Sequence, residues 1–126
     1  MNIFSIKATP STPYIYFDQH AGLLEIKGRS IPENSVAFYK PLFDALDEYV
    51  KNPLEKLYVK IQLEYYNSSS SVCILNLLKK LEVLKDMAKT ISIEWFYEEE
   101  DEDTLAAGNH LQSIIHLPFK MIKVTG

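Results

Sequence analysis

The sequence has little of what cross-linked, exported or membrane-embedded proteins need. Cys73 is the only cysteine among 126 residues, so no disulfide can form within the chain, and its apolar neighbours indicate a small buried hydrophobe. No apolar run approaches the roughly 20 residues of a membrane-spanning helix, so we expect no membrane insertion. The N-terminal residues lack the basic region and apolar run of a signal peptide. We therefore expect a cytoplasmic protein.

Positive charge and glycine are also scarce. Thirteen basic residues stand against 17 acidic ones, which gives a net charge of -4. Nucleic acids and anionic membranes both select basic surfaces, so neither is expected as the main partner. The 4 glycines and 6 prolines form no linker, and there is no internal repeat. With 47% hydrophobic residues available for a core, we expect residues 1–126 to form one domain.

Two periodicities run through the sequence. Alternating apolar residues predict strands, and apolar spacings of three and four predict helices, with Val36 and Val72 opening the apolar stripes of the first two helices. The predicted strands are Tyr14–Phe17, Leu23–Gly28, Lys56–Tyr66, Thr90–Tyr97 and Pro118–Val124. The predicted helices are Asn34–Lys51, a segment from the serine run to Ala88, and Thr104–Ile115. The order β-β-α-β-α-β-α-β predicts an α/β fold, a mixed and mostly parallel sheet covered by helices in two or three layers.

A polar turn separates the longest strand from the second helix. It consists of Asn67 followed by four serines, Ser68–Ser71. The first N–H groups of a helix have no internal partners, and the helix dipole favours an anion there. A serine in this turn is therefore a candidate for phosphorylation, which adds a charge of roughly -1.5 to -2. Alternatively, the serines only cap the helix. The turn lacks the glycines and lysine of a P-loop, so nucleotide hydrolysis is poorly supported.

Residues near this turn are candidates for partner contacts. Glu33 and Asn34 precede the first helix, where they either cap it or lie beside the serine turn at the same edge of the sheet. Tyr65 and Tyr66 end the strand before the turn, and strand alternation leads us to predict that Tyr66 is the exposed one. Trp95 lies in an apolar strand and is predicted to be in the core.

The acidic run Glu98–Asp103 has three interpretations. It is a solvated loop before a helix capped by Thr104, a negative docking surface near the turn, or a divalent-metal site. The run lacks the spaced ligands and the glycine of a calcium loop. The histidines, His20, His110 and His116, do not have the spacing of a helical zinc pair. We therefore expect no metal and no cofactor.

Several short motifs together resemble one known family, the SiaC-like regulatory phosphoproteins of bacteria. The resemblance covers most of the chain, in matching order and spacing. The motifs are Ser30–Ser35, Leu63–Ser70, Ile93–Tyr97, Asp101–Asp103 and Leu117–Phe119. The resemblance implies a fold like the anti-sigma-factor antagonist (STAS-type) domains.

The resemblance also implies a function. Phosphorylation is implied at the hydroxyl residue after the asparagine of the turn, which is typically threonine in the family and is Ser68 here, with Ser69 as the fallback. A dedicated protein kinase is implied to add the phosphate and a PP2C-type phosphatase to remove it. The unphosphorylated form is implied to bind and activate a diguanylate cyclase, which links the switch to cyclic-di-GMP and biofilm formation.

Together, these observations predict a non-enzymatic signalling protein switched by serine phosphorylation. The residues expected to contact partners are Glu33, Asn34, Tyr66, Asn67, Ser69 and Ser70. Two other functions remain open. One is a structural or oligomerisation subunit, and the other is a small metal-dependent enzyme that uses the acidic loop.

Overall fold

A computed structural model describes residues 3–125. Within these residues, six strands and three helices follow one another. The strands are β1 (Ile3–Ile6), β2 (Tyr14–Asp18), β3 (Leu23–Ser30), β4 (Lys56–Tyr66), β5 (Thr90–Glu98) and β6 (Phe119–Val124). The helices are α1 (Ser35–Tyr49), α2 (Ser68–Asp86) and α3 (Glu102–Ile114).

All six strands form one sheet, in the order β1-β2-β3-β4-β5-β6. The first three strands pair antiparallel, and β3 to β6 pair parallel, each parallel connection passing through a helix. The predicted mixed, largely parallel α/β fold is therefore confirmed. The sequence prediction missed β1, which pairs with β2 at the edge of the sheet.

The core lies on one face of the sheet. The strand register aligns Ile15, Ile26, Ile61 and Trp95 in a single row, and all four are buried. This confirms Trp95 as a core residue. The buried residues of the three helices belong to the same cluster. The alternate strand residues are exposed or half-buried, so the molecule has two layers and an open sheet face.

In each of the first two helices, the first buried residue is a serine rather than a valine. In α1 the buried positions are Ser35, Tyr39, Leu42, Leu46 and Tyr49, and in α2 they start at Ser70. Val36 and Val72 are exposed. The predicted placement of both valines on the apolar stripes was wrong, because a polar residue occupies the core position of each first turn.

Side-chain caps begin the first and third helices. Asn34 Oδ1 accepts a hydrogen bond from the Ala37 N–H at 3.1 Å, which confirms Asn34 as the cap of α1. For α3 the predicted cap, Thr104, was wrong. Asp101 caps this helix and accepts from both the N–H and the hydroxyl of Thr104, which is buried. Among residues 3–125, none of the helices combines the length and apolar character that crossing a bilayer requires.

Candidate functional site

The serine turn lies where β3 and β4 end. The Asn67 N–H donates to the Ser30 carbonyl at 3.1 Å, and Asn67 Nδ2 donates to the Pro32 carbonyl at 3.4 Å. These bonds hold the segment that leads into α1 against the start of α2. Glu33 and Asn34, both exposed, therefore lie beside the serine turn, as the parallel arrangement of the strands predicts.

Asn67 is the residue that caps α2. Its Oδ1 accepts from the Ser70 N–H at 2.9 Å and from the Ser69 hydroxyl at 3.2 Å. The backbone of Asn67 is extended, as is usual for an N-cap residue. The interpretation of the serines as the cap was wrong, since Ser68 is the first residue of the helix itself.

The four serines have four different environments. Ser68 is exposed, and no other residue of the described part of the chain hydrogen-bonds its hydroxyl. Ser69 is also exposed, but its hydroxyl lies 2.7 Å from the Ser35 hydroxyl. Ser71 is exposed and lines the space between α2 and α3. Ser70 is fully buried. Ser68 and Ser71 are thus the two exposed serines of the turn whose hydroxyls have no hydrogen-bond partner among the described residues, and Ser68 is the one at the first position of α2.

Ser70 belongs to a buried hydroxyl cluster that joins three elements. Its Oγ donates to the Ser30 carbonyl at 2.9 Å and lies 2.7 Å from Ser30 Oγ and 3.2 Å from Ser35 Oγ. Ser30 Oγ in turn lies 2.6 Å from the Tyr39 hydroxyl. Burial raises the pKa of Tyr39 to about 12, although its hydrogen bond to Ser30 acts in the opposite direction. The expectation that Ser70 contacts a partner conflicts with this burial, because the cluster leaves Ser70 no exposed surface.

A break in strand pairing reverses the exposure that the sequence predicts for Tyr65 and Tyr66. The register between β3 and β4 shifts after Gly28, which pairs with Leu63, whereas the next residue of β3 pairs with Tyr65. Glu64 is skipped, and such a bulge turns every later side chain of the strand to the other face. Tyr65 is consequently exposed and Tyr66 is partly buried. The prediction that Tyr66 is the exposed tyrosine was wrong.

Tyr66 connects the end of β4 to the start of α3. Its hydroxyl interacts with Thr104, and its pKa is raised, first by burial and then by the nearby negative charge of Asp101. The ring helps to line an apolar groove of about 210 Å³ between α2 and α3, with Trp95 at its base and Val72 at its rim. The acidic run therefore lies close to the serine turn, with Tyr66 between them.

The most exposed large apolar side chains of the described residues surround the turn. Val36 is 72% exposed, Tyr65 62% and Val72 56%. Val36 follows Ser35, whose side chain contacts the serine run, and Val72 lies one helical turn after Ser68 on the same face. We call these three residues the apolar rim. Sequence reasoning missed this surface, because it assigned both valines to the core.

Other reactive side chains do not assemble into a second site. Among residues 3–125, no group of three or more His, Cys, Asp and Glu side chains is placed to hold a metal ion. Cys73 is buried, as predicted, and burial raises the pKa of its thiol. A raised pKa keeps the thiol protonated and less nucleophilic. The backbone N–H of His116 donates to Glu82, which is a structural contact between α2 and the segment after α3.

Fold and site together define a class of protein. It is a small α/β domain that presents a serine hydroxyl at a helix N-terminus, beside exposed apolar side chains suited to protein contact. Residues 6–124 match the family model described as SiaC family regulatory phosphoprotein. The chain belongs to this family.

Similar proteins come from Pseudomonas aeruginosa. An uncharacterised protein of strain UCBPP-PA14 is 28% identical over 119 residues, which are 94% of each chain. The crystal structure of apo-SiaC has a TM-score of 0.88 at 26% identity and covers 97% of this chain and 99% of its own. SiaC in a crystal structure with the diguanylate cyclase SiaD, which it activates, has a TM-score of 0.90 at 26% identity, with 96% and 99% covered.

Proposed function

We propose that the chain is a non-enzymatic signalling protein that is switched by reversible phosphorylation of Ser68. A protein kinase adds the phosphate, and a PP2C-type phosphatase removes it. The unphosphorylated form binds and activates a diguanylate cyclase in the cytoplasm, which couples the switch to cyclic-di-GMP and biofilm formation. The family description as a regulatory phosphoprotein supports the switch, and the relative solved together with a cyclase supports the partner.

The observation that carries the proposal is the position of Ser68. It is exposed, it is the first residue of α2, and its hydroxyl has no hydrogen-bond partner within the described chain. Ser69 is hydrogen-bonded, Ser70 is buried, and Ser71, which is also exposed, lies three residues further into the helix. A kinase can therefore reach the hydroxyl of Ser68 without unfolding the turn. The start of α1 lies beside it, so a phosphate there meets the positive ends of two helix dipoles.

A phosphate on Ser68 is compatible with the stability of this domain but unfavourable for binding of its partner. Near a helix N-terminus a negative charge is stabilised by about 0.3–1 kcal/mol, so the domain tolerates the modification. A partner that covers the apolar rim must instead strip water from a charge of roughly -1.5 to -2, which is costly unless the partner supplies positive groups. We therefore expect phosphorylation to release a partner that binds the rim.

Glu33, Asn34, Tyr66, Asn67 and Ser69 complete the proposed contact surface. Glu33 and Asn34 are exposed next to the turn, and Ser69 is exposed within it. Asn67 and Tyr66 are only partly exposed, and their contribution is to shape the turn and the groove beside it. Tyr65 and the two valines of the apolar rim supply the larger part of the exposed apolar area.

The first test compares Ser68→Ala with Ser68→Asp. We expect protein purified from its native cells to carry one phosphate, a mass increase of about 80 Da, that Ser68→Ala lacks. In titrations with the purified diguanylate cyclase of the same cells, Ser68→Ala should bind like the unmodified wild type. Ser68→Asp should bind roughly tenfold more weakly, because it places a fixed charge inside the contact surface.

A matched variant controls for net charge. Ser113→Asp adds the same charge at an exposed position of α3 and should leave cyclase binding unchanged. Equal affinity of Ser68→Ala and Ser68→Asp for the cyclase would contradict the switch. Phosphate on a serine outside the turn would contradict the assignment of the site.

A further inference from the structure

We infer that Ser35 determines which of the two adjacent exposed serines, Ser68 or Ser69, accepts the phosphate, by holding the Ser69 hydroxyl and leaving Ser68 free. This inference rests on the proposed function, since it concerns the selectivity of the proposed modification. Ser68 and Ser69 are adjacent and both exposed, so exposure alone does not distinguish them. The hydrogen bonds of the two hydroxyls distinguish them.

Ser35 reaches the turn from a different element. It is the first residue of α1, it is 2% exposed, and its Oγ lies 2.7 Å from Ser69 Oγ and 3.2 Å from Ser70 Oγ. Because Asn34 already caps α1, the Ser35 side chain is not needed to begin the helix. Its hydroxyl instead connects α1 to the serine run.

Counting protons assigns a direction to this connection. A carbonyl only accepts, so the single proton of Ser70 is used in its bond to the Ser30 carbonyl. An amide oxygen also only accepts, so the single proton of Ser69 is used in its 3.2 Å bond to Asn67 Oδ1, and Ser69 Oγ accepts from Ser35 at 2.7 Å. The hydroxyl of Ser69 is thus engaged twice, through its proton by Asn67 and through its oxygen by Ser35.

This direction opposes phosphorylation of Ser69. In the transfer, the serine oxygen forms a bond to the γ-phosphorus of ATP, the bond from that phosphorus to the β–γ bridging oxygen breaks, and ADP leaves. The serine proton must pass to a base of the kinase. For Ser69 that proton is held by Asn67 Oδ1 and the attacking oxygen by the proton of Ser35, whereas the oxygen and the proton of Ser68 are both available on the surface.

The product would also be disfavoured at Ser69. Once Ser69 Oγ is esterified it has no proton, yet it still lies 3.2 Å from Asn67 Oδ1, which is an acceptor. Two acceptors at this distance repel each other, and Asn67 Oδ1 is fixed in place by the Ser70 N–H that it caps. A phosphate on Ser69 would weaken the cap, whereas a phosphate on Ser68 would not.

The test maps the phosphate in variants expressed from the native gene. Fragmentation mass spectrometry should find wild-type phosphate on Ser68 with little on Ser69. Ser35→Ala should raise the ratio of phospho-Ser69 to phospho-Ser68 about threefold to tenfold, the effect of releasing one hydrogen bond. Ser35→Thr keeps the hydroxyl and should restore the wild-type ratio.

Ser30→Ala is the matched control. It removes a hydroxyl of the same buried cluster that contacts Ser70 and Tyr39 but not Ser69. It should lower thermal stability more than Ser35→Ala does, because it removes the oxygen that lies 2.6 Å from the buried Tyr39 hydroxyl, and yet keep the phosphate on Ser68. A simple loosening of the turn would shift the ratio in both variants.

The outcomes separate this inference from the function on which it rests. If the wild-type chain carries phosphate on Ser68 and Ser35→Ala does too, in an unchanged ratio, the role of Ser35 is overturned while the switch stands. An equal shift in Ser35→Ala and Ser30→Ala would also overturn it. If the wild-type turn carries no phosphate at all, the proposed function itself fails.

Discussion

At the scale of single residues, Tyr39 shows how the core tolerates polar groups. Its ring is almost fully buried, and its hydroxyl lies 2.6 Å from Ser30 Oγ. A buried hydroxyl costs little when it is hydrogen-bonded, but a buried phenolate has to give up its hydration. Burial therefore raises the pKa of Tyr39 from the ordinary tyrosine value of 10.0 to about 12.

This raised pKa predicts a loss of stability in alkaline solution. The unfolded chain releases the Tyr39 proton near pH 10 and the folded chain near pH 12, so the contribution is complete below pH 10 and is lost as the pH rises towards 12. The loss is about 1 kcal/mol at pH 11 and approaches about 3 kcal/mol above pH 12. Urea unfolding of wild type and Tyr39→Phe at pH 8 and pH 11 measures it.

Tyr39→Phe provides the reference for that measurement. Lysines and the other tyrosines titrate in both proteins, so their effects cancel in the difference. At pH 8 the variant should be less stable by about 1 kcal/mol, the net value of one hydrogen bond. By pH 11 this gap should close or reverse. An equal decline in both proteins would show that Tyr39 ionises without opposing the fold.

The buried hydroxyl cluster explains why the core positions in the first turns of α1 and α2 were predicted wrongly. In the apolar pattern alone, Val36 and Val72 extend the helix stripes by one turn, and both were assigned to the core. The positions that continue the buried spacing are Ser35, four before Tyr39, and Ser70, four before Ile74. Serine occupies them because each hydroxyl finds partners on other elements. Those partners are distant in sequence, so periodicity could not reveal them.

At the scale of elements, α3 approaches the sheet unusually closely at Gly108. A Cβ at this position would lie 2.5 Å from both Trp95 Cδ1 and Met121 Cε. Met121 can move its terminal methyl, but Trp95 is fixed by the hydrogen bond from its Nε1 to the Thr104 carbonyl at 2.9 Å. Glycine at this position therefore sets the distance between α3 and β5.

Gly108→Ala should consequently destabilise the protein in spite of alanine's higher helix propensity. The propensity gain is at most about 1 kcal/mol, and overpacking of a rigid core contact costs about 1–3 kcal/mol. We expect a net loss of about 1–2 kcal/mol in urea unfolding, with a changed Trp95 fluorescence maximum. Asn109→Ala, at the exposed neighbour, gains propensity without a clash and should be neutral or stabilising. A stabilised Gly108→Ala would refute the close packing.

Most elements could be predicted because their signals are local. Five strands and three helices were found from alternation, helical spacing and turn residues. β1 was missed because four residues carry too little pattern, and its pairing with β2 depends on contacts across the edge of the sheet. The bulge at Glu64 was missed because register belongs to two strands together, and it exchanged the environments of Tyr65 and Tyr66.

At the scale of the whole molecule, the two faces of the sheet have different roles. One face is sealed by the helices, and the serine turn lies at the strand ends between two of them. On the open face the register brings Glu25, Lys60, Glu94 and Lys120 into one row across four strands, with alternating sign. Alternating charge keeps such a face solvated and favours this register over a shifted one.

Reversing one charge in this row should lower the free energy of unfolding, and the loss should be smaller at high salt. Lys60→Glu places a third carboxylate between Glu25 and Glu94, on strands about 4.8 Å apart. Each like-charge neighbour costs up to about 1 kcal/mol, so urea unfolding at low salt should show a loss of about 1–2 kcal/mol. Lys79→Glu makes the same change in net charge at an exposed position of α2 and should cost much less. Because exposed charges are screened, the difference between the two variants should shrink at molar salt. A difference that persists there would mean that Lys60 stabilises the sheet by packing its aliphatic chain rather than by its charge.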